Sequence, residues 1–458
     1  MANSEIVSSI ISDELARSNE MFQRAKQVIP GGVTANIKFF SPHPIFMEKG
    51  KGSRLIDVDG NEYVDYLLCY GALILGHGHP KVNEKVISFL QTNGSVFGAP
   101  HVLELTMAQK LADLFPSIEM TRFTNSGLEA TLLAIRLAKA VTGKQKIAKF
   151  EGHYHGGYDQ VLISVNPDLR LAGEDANPTA VPDSKGIAEI DLENTIVLPF
   201  NDIDATEQIL RKHKNELAAV ILEPVQGGFI PADEYFMYHL RKVTEELGIL
   251  LIFDEVKTGF RAHLGGVQSV YNVTPDLTAL GKVLGGGFPI GALGGKKEIM
   301  EMMSPEKKGD ILIAGDNNNR STDVLFHSGT YNGHPIVLTA GLATIEILET
   351  NDAMNTLLKR SLYLRKELES LYQRYNIDVQ VIGMGSMFNI VFSKERIKNY
   401  RDMKKANLEL RRIIDYKLLT LGIYTKPMNR YSLSVVHTEK DIHDTIEAHE
   451  HVIKQITS

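Results

Sequence analysis

Between about residue 103 and residue 300 the sequence alternates short, unbroken apolar runs with longer stretches of helical spacing, and this alternation narrows the fold more than any other feature. The runs include TRFTN, KIAKF, QVLIS, AAVILEP, GILLIFDEV and DLTALGK, and the helical stretches include 128–141 and 234–247. A strand that is apolar on both faces has to be covered on both faces, and strands separated by helices run parallel. The expectation is an α/β fold whose large domain, 73–335, has a mostly parallel sheet between helices. An N-terminal segment, 1–72, precedes it. There a helix over 7–28 is stopped by Pro30-Gly31-Gly32, and SRLIDVDGNEYVDYL (53–67) alternates around an Asp59-Gly60 turn as a hairpin does. Polar residues at 304–323 mark a loop. From 336 to 458 helices dominate, with short strands near VIGMGSMFNIVFS and YSLSVVH, which predicts a smaller α/β C-terminal domain. No internal repeat is visible.

A chain of 458 residues that is 43% hydrophobic and 23% charged can bury a sizeable core. Its net charge of −7, without a Lys/Arg-rich block, argues against a nucleic-acid or anionic-membrane surface and for a small-molecule task. The longest apolar run, LGILLIF (247–253), is far too short to span a bilayer, and the first residues hold Glu5, Asp13 and Glu14 in place of an apolar leader. A cytoplasmic protein is expected. The single cysteine, Cys69, rules out an intrachain disulfide, suits a reducing compartment and is expected in the core.

In parallel sheets, ligands gather where strands end. In TRFTNSGLEATLLAIRLAKA, Asn125-Ser126-Gly127 lies between a strand and a helix N-terminus, where unpaired N–H groups and the helix dipole favour an anion such as phosphate. The same residues also read as a capping box, Ser126 with Glu129. Asp254 closes the apolar run LLIFD, either as a functional acid or as a buried ion-pair partner. Lys282 lies in LTALGKVLGGGFPIGALGG, among seven glycines that suggest close backbone approach to something bulky. A lysine against apolar walls loses hydration, so its amine becomes nucleophilic towards carbonyls; a snorkelling surface lysine is the alternative. One cofactor would use an amine, an acid and a phosphate site together. That cofactor is pyridoxal 5′-phosphate, with its aldehyde on Lys282, its ring nitrogen on Asp254 and its phosphate at the Ser126-Gly127-Leu128 turn.

The motifs IFDEVKTGFR and TPDLTALGKVLGGGFPIGALGGKKEIM resemble those of the class III aminotransferases of pyridoxal-phosphate fold type I. PGGV, DVDGNEYVDY, GHGHP, FGAP, FTNSGLEA, KFEGHYHGGYD, ILEPVQGG, HSGTYNGHP and VVHTEKDI extend the likeness to the glutamate-1-semialdehyde aminomutase branch along nearly the whole chain. The resemblance implies a homodimer with active sites shared at the subunit interface. It assigns phosphate contacts to Ser126 and Gly127, a phosphate contact in the partner's site to Thr330, and stacking on the cofactor ring to Tyr154. Glu223 closes a strand near the ring, with a structural role as open as a catalytic one. His77 and His79 in GHGHP suit a turn better than a metal.

The departures from that branch concern recognition. Leu128 stands where SGT or SGS is usual, so one hydroxyl contact to phosphate is absent. EPVQGG lacks the asparagine of EPxxGN that would meet the cofactor's phenolic oxygen, and Gln226 is the candidate substitute. TANIK offers Lys38 where the branch has a carboxylate-binding arginine, and KPMNRYSLSVVHT offers Arg430 where it has a glutamate; the loop before HSGT is longer. Lysine supplies charge without the bidentate fork. These changes favour an aminotransferase that passes an amino group from an amino acid, such as a β-amino acid, to a separate oxo acid. The aminomutase is the alternative, and a racemase or epimerase follows from reprotonation on the other face.

Overall fold

The computed structural model describes residues 15–307, 324–350 and 352–457. The polypeptide forms two compact units. One comprises the described parts of Lys81–Asp352 with Ile397–Met403; the other comprises those of Met1–Pro80, Ala353–Arg396 and Lys404–Ser458.

The first unit is built on a seven-stranded sheet. Its strands are β1 (Met120–Thr124), β2 (Lys146–Phe150), β3 (Thr195–Leu198), β4 (Leu217–Leu222), β5 (Leu250–Asp254), β6 (Leu277–Gly281) and β7 (Gly291–Gly295), in the spatial order β1-β7-β6-β5-β4-β2-β3. β7 pairs antiparallel with both neighbours, and the pairs from β6 to β3 are parallel. The unbroken apolar sequence of β4, LAAVIL, is buried at every position, as a strand covered on both faces requires. Helix α1 (Gly127–Thr142) lays Ala130, Ala134, Leu137 and Ala138 on the sheet at the spacing of one helical face. It packs over Ile221, Ile252, Leu277 and Leu293. Each large aliphatic side chain buried there contributes roughly 1.5–3 kcal/mol. Gly143 ends the helix in the left-handed conformation, φ +70°, with its N–H donated to Lys139 O.

Two strand assignments differ from the sequence expectation. Gln160–Ser164 is a turn, because Val161 and Leu162 both donate N–H to Tyr158 O, and Ile163 makes only an isolated bridge to Pro182. Val161 and Ile163 are buried all the same, so the apolar run marks core without marking a strand. Conversely, GALGG pairs along its whole length as β7 although glycine and alanine have poor strand propensity. Its small residues are needed for proximity. A Cβ on Gly291 would lie 2.1 Å from Ser126 O, and one on Gly127 would lie 2.5 Å from Val256 Cγ1. The bulky object that the glycine cluster approaches here is the chain itself: the β6–β7 hairpin, the Ser126-Gly127 turn and the turn after β5 converge.

In the second unit, Arg54–Asp57 and Glu62–Asp65 form the expected hairpin, with Met47–Lys51 on one side and Ile423–Tyr424 on the other. Leu15, Phe40, Ile45 and Tyr63 share an apolar cluster with Tyr416, Leu419 and Tyr424, so the N-terminal segment and the C-terminal part of the chain have one core. Gln380–Met384, Met387–Val391 and Tyr431–Ser432 form a separate antiparallel sheet. The N-terminal helix is described as Ala16–Ala25, and residues 7–14 lie outside the described part. Cys69 corrects the sequence reading. It is exposed, in a turn where Leu68, Cys69 and Tyr70 all have positive φ, which holds the cysteine out of the core.

The convergence at Gly291 is testable. Gly291→Ala forces backbone apart and is expected to lower stability by about 1–3 kcal/mol, the usual cost of overpacking. Thermal unfolding measures this, and an unchanged Tm would show that the hairpin yields freely.

Candidate active site

Asp254 is the last residue of β5 and is 4% exposed. A buried carboxylate needs partners. Oδ1 accepts the Val256 N–H at 3.0 Å, and Oδ2 lies 2.8 Å from His155 Nδ1. The carboxylate is the acceptor in this pair, so Nδ1 carries a proton; Nε2 is buried with no hydrogen-bond partner among the described residues. Of the two readings of Asp254, the ion pair with a histidine is present, and the carboxylate also lines a cavity.

That cavity, of about 190 Å³, is lined by Gly127 and Leu128 from the start of α1, Tyr154 and His155, and Asp254, Val256, Lys257 and Lys282, together with Thr131 and Gly156. A void of roughly 150 Å³ accommodates a benzene ring. Lys282 follows β6 directly and holds φ +46°, a left-handed conformation that a side chain adopts at a cost. Tyr154 is 44% exposed and therefore is no ordinary core tyrosine. Burial of its hydroxyl, with Asp254 and Glu223 nearby, raises its pKa and keeps it a neutral phenol.

Behind this wall, Glu223 accepts the Tyr154 N–H at 3.1 Å through Oε2 and pairs with Lys257 at 2.5 Å through Oε1. Burial opposes its ionisation, but the paired Lys257 ammonium outweighs burial and holds its pKa down to about 2. His153 Nδ1 accepts the Glu223 N–H at 3.0 Å, and burial pushes the His153 pKa well below the ordinary imidazole value, so this ring is neutral.

The remaining expected residues fall elsewhere. Ser126 caps α1, its Oγ accepting the Glu129 N–H at 3.2 Å, while Glu129 Oε2 accepts the Asn125 N–H at 2.7 Å; Ser126 is not among the cavity-lining residues. The capping reading of this turn therefore holds, with Gly127 and Leu128 left facing the cavity. Gln226 is not brought there either: its Nε2 donates to Glu151 O at 2.9 Å from a buried position. Thr330 lines a second cavity, of about 460 Å³, with Phe97, His101, Tyr331 and Asn332, and Asn332 Oδ1 accepts from Asn125 Nδ2. Lys38 and Arg430 belong to the other unit. There Tyr70 links their neighbourhoods: its hydroxyl donates to Ile37 O at 2.7 Å, and its carbonyl accepts from Arg430 Nη2 at 2.9 Å. Lys38 Nζ donates to Thr34 Oγ1. His77 Nε2 meets Asp65 Oδ2 at 2.7 Å beside the backbone bridge from Gly52 to His77, a turn-bracing role. Most of the loop before HSGT, 308–323, lies outside the described residues. Sequence reasoning passed over Thr131, His155 and Lys257. His155 follows Tyr154 directly and Lys257 is three residues after Asp254, so position relative to these two expected site residues was the available signal.

The donor set fits pyridoxal 5′-phosphate. Lys282 offers an amine for an aldehyde, Asp254 an anion for a ring nitrogen, Tyr154 an aromatic face, and the first turn of α1 offers N–H groups to a phosphate.

The sequence model of the family described as aminotransferase class-III matches residues 39–453. Glutamate-1-semialdehyde 2,1-aminomutase of Methanopyrus kandleri is 41% identical over 449 residues, covering 97% of this chain and 99% of that protein. Other proteins of that name match at 39–41% identity over at least 96% of the chain. An omega-transaminase structure from Sphaerobacter thermophilus superposes with a TM-score of 0.89 at 37% identity, covering 95% of this chain and 97% of that one. A transaminase solved with PLP bound has a TM-score of 0.86 at 30% identity, covering 97% and 98%.

The Glu223 pair predicts an acid dependence. A carboxyl whose folded pKa is depressed contributes stability that is present above its unfolded value, near 4.3, and is lost as pH falls towards about 2. Glu223→Gln should therefore flatten the fall in unfolding free energy over that window by up to about 1.4 kcal/mol per pH unit. Denaturant unfolding at several pH values measures the slope. Equal slopes in the two proteins would mean that Glu223 is not held ionised.

Proposed function

The chain belongs to the class-III aminotransferase family, and on that premise we propose that it is a pyridoxal-phosphate enzyme moving an amino group within one substrate, as glutamate-1-semialdehyde 2,1-aminomutases do. The observation that carries this reading is the full-length similarity, near 40% identity, to enzymes of that name. It corrects the expectation of an aminotransferase acting between a separate amino acid and oxo acid. That expectation rested on Lys38, Leu128, Gln226 and Arg430. Four contact positions alter how substrate or cofactor is gripped, but they do not decide whether amino donor and acceptor are one molecule.

The reaction carries the amino group of glutamate 1-semialdehyde from carbon 2 to carbon 1, giving the isomer 5-aminolevulinate, so atoms balance without a second substrate. The cofactor, when bound, supplies an electrophilic aldehyde carbon and a ring that accepts electron density. Lys282 would hold it at that carbon, and the same amine would serve as the base that takes the proton lost by substrate carbon 2 and as the acid that supplies the one gained by carbon 1. Asp254 keeps the proton on the ring nitrogen, and His155 holds that carboxylate in place from behind. Tyr154 covers one face of the ring and excludes water. The α1 N-terminus at Gly127 and Leu128 binds phosphate through backbone N–H groups. Lys38 and Arg430 are the candidate partners of the substrate carboxylate.

We also propose a cytoplasmic homodimer in which Thr330 reaches the partner's phosphate. Exposed Val96, Phe97 and Tyr331 around Thr330 support an apolar contact there. No helix among the described residues is long and apolar enough to cross a membrane.

Incubation of the holoenzyme with glutamate 1-semialdehyde and no oxo acid should yield 5-aminolevulinate. Lys282→Ala should lose the bound cofactor's visible absorbance and reduce turnover by roughly 10²–10⁴-fold or more. Release of a new oxo acid only when an acceptor is added would overturn the reading. For the dimer, a Lys282→Ala chain mixed with a Thr330→Ala chain should regain activity, since one of the two shared sites then carries neither change. Mixtures no more active than their components would remove Thr330 from the partner's site.

A further inference from the structure

The cavity wall carries a second lysine that the proposed chemistry does not use. Lys257 lies on the turn after β5, its side chain 14% exposed, with Nζ on Glu223 Oε1 at 2.5 Å and 5.8 Å from the centroid of the Tyr154 ring. Glu223 explains how a cation is tolerated here, but not why one is present. A buried ion pair is usually no more stabilising than apolar side chains of equal volume.

The chemistry of the cofactor identifies what the cation meets. Beside its aldehyde carbon, pyridoxal phosphate carries an acidic phenolic oxygen that needs a donor. The polar lining of the cavity is Thr131, Tyr154, His155, Asp254, Lys257 and Lys282. Thr131 Oγ1 has one hydrogen and already faces two carbonyls, those of Leu128 and His155. His155 donates its Nδ1–H to Asp254, Asp254 is an acceptor, and Lys282 holds the aldehyde carbon. Gln226, the candidate from sequence, donates to Glu151 O and lies outside the cavity. Tyr154 and Lys257 remain. An ammonium is the stronger partner for an anionic oxygen, and its contact with Glu223 occupies one of three N–H groups.

We propose that Lys257 is the donor to the cofactor's phenolic oxygen, a positioning and charge-setting residue in the place that the family gives to a neutral amide. This inference rests on the cofactor assignment and is independent of which reaction follows. A cation beside that oxygen opposes protonation of the Lys282 nitrogen bonded to the cofactor, and so lowers the pH at which that nitrogen gives up its proton. The charged and titratable groups facing it are Lys257 and Asp254 from the end of β5, Glu223 from the end of β4, and Tyr154 and His155 from the loop after β2, with His153 behind Glu223.

The test is a pH titration of the bound cofactor's visible absorbance in the holoenzyme, which needs no substrate. Lys257→Met should raise the midpoint by one pH unit or more, and Lys257→Arg should restore it most of the way. Because Lys257→Met also bares a buried carboxylate, the deciding protein is Lys257→Met with Glu223→Gln, which leaves neither charge unpaired. A midpoint still raised in the double variant supports contact with the oxygen. A midpoint back at the wild-type value would show that Lys257 only neutralises Glu223, and an unchanged midpoint in Lys257→Met would place it away from the cofactor. Tyr154→Phe should leave the midpoint nearly unchanged; a shift there equal to that of Lys257→Met would give the role to the phenol.

Discussion

The close approach of backbone at Gly291 and Gly127 is the constraint on which the site depends. With no side chain at either position, the β6–β7 hairpin comes against the carbonyl of Ser126, and the start of α1 comes against Val256. Three strand ends that are distant in sequence therefore open into one cavity. Asp254, Lys282 and the N-terminal turn of α1 meet there because their backbones are in contact, and each is held by an element whose other residues are core.

Around that cavity the charges are arranged in pairs rather than singly. Asp254 is matched by His155, and Glu223 by Lys257. Asp254 and His155 both line the cavity, the second pair presents Lys257 to it, and each carboxylate accepts a backbone N–H: that of Val256 at Asp254 and that of Tyr154 at Glu223. The low polarity that makes an unpaired charge costly also makes a correctly placed one effective. Tyr154 sits between the two pairs, its backbone bonded to Glu223 and its ring beside Lys257. A change at one of these residues is therefore expected to be felt at the others, and single substitutions are a poor guide to individual contributions.

The corrected expectation about function has a physical lesson. The residues that differ from the aminomutase pattern are ones to which the resemblance assigns contacts: a hydroxyl replaced by Leu128, an amide by glycine, an arginine by Lys38. Contacts of this kind tune affinity by a few kcal/mol. Whether the amino group leaves on one molecule or returns to its neighbour carbon depends on how long the intermediate species is retained and re-engaged, which no single contact residue encodes. Similarity along the whole chain samples many more of the positions that set such retention.

By itself the sequence determined the periodic features and the reactive groups. The apolar run of β4, the helix over Gly127–Thr142, the hairpin around Asp59-Gly60, and the acid and lysine at the ends of β5 and β6 are all local patterns, and local patterns report which faces are buried. Tertiary structure decided whatever depended on a distant partner. GALGG is a strand because β6 and β1 lie on either side of it, QVLIS is a turn because Tyr158 takes its N–H groups, and Cys69 is exposed because three successive left-handed residues turn it outward. Gln226 and Lys257 show the same division at the site. Both are polar residues, in ILEPVQGG and IFDEVKTGFR, and nothing in their spacing tells which one reaches the cavity. That follows from Glu151 lying where it can accept from the amide and Glu223 lying where it can hold the ammonium, two relations between residues that are more than 30 positions apart.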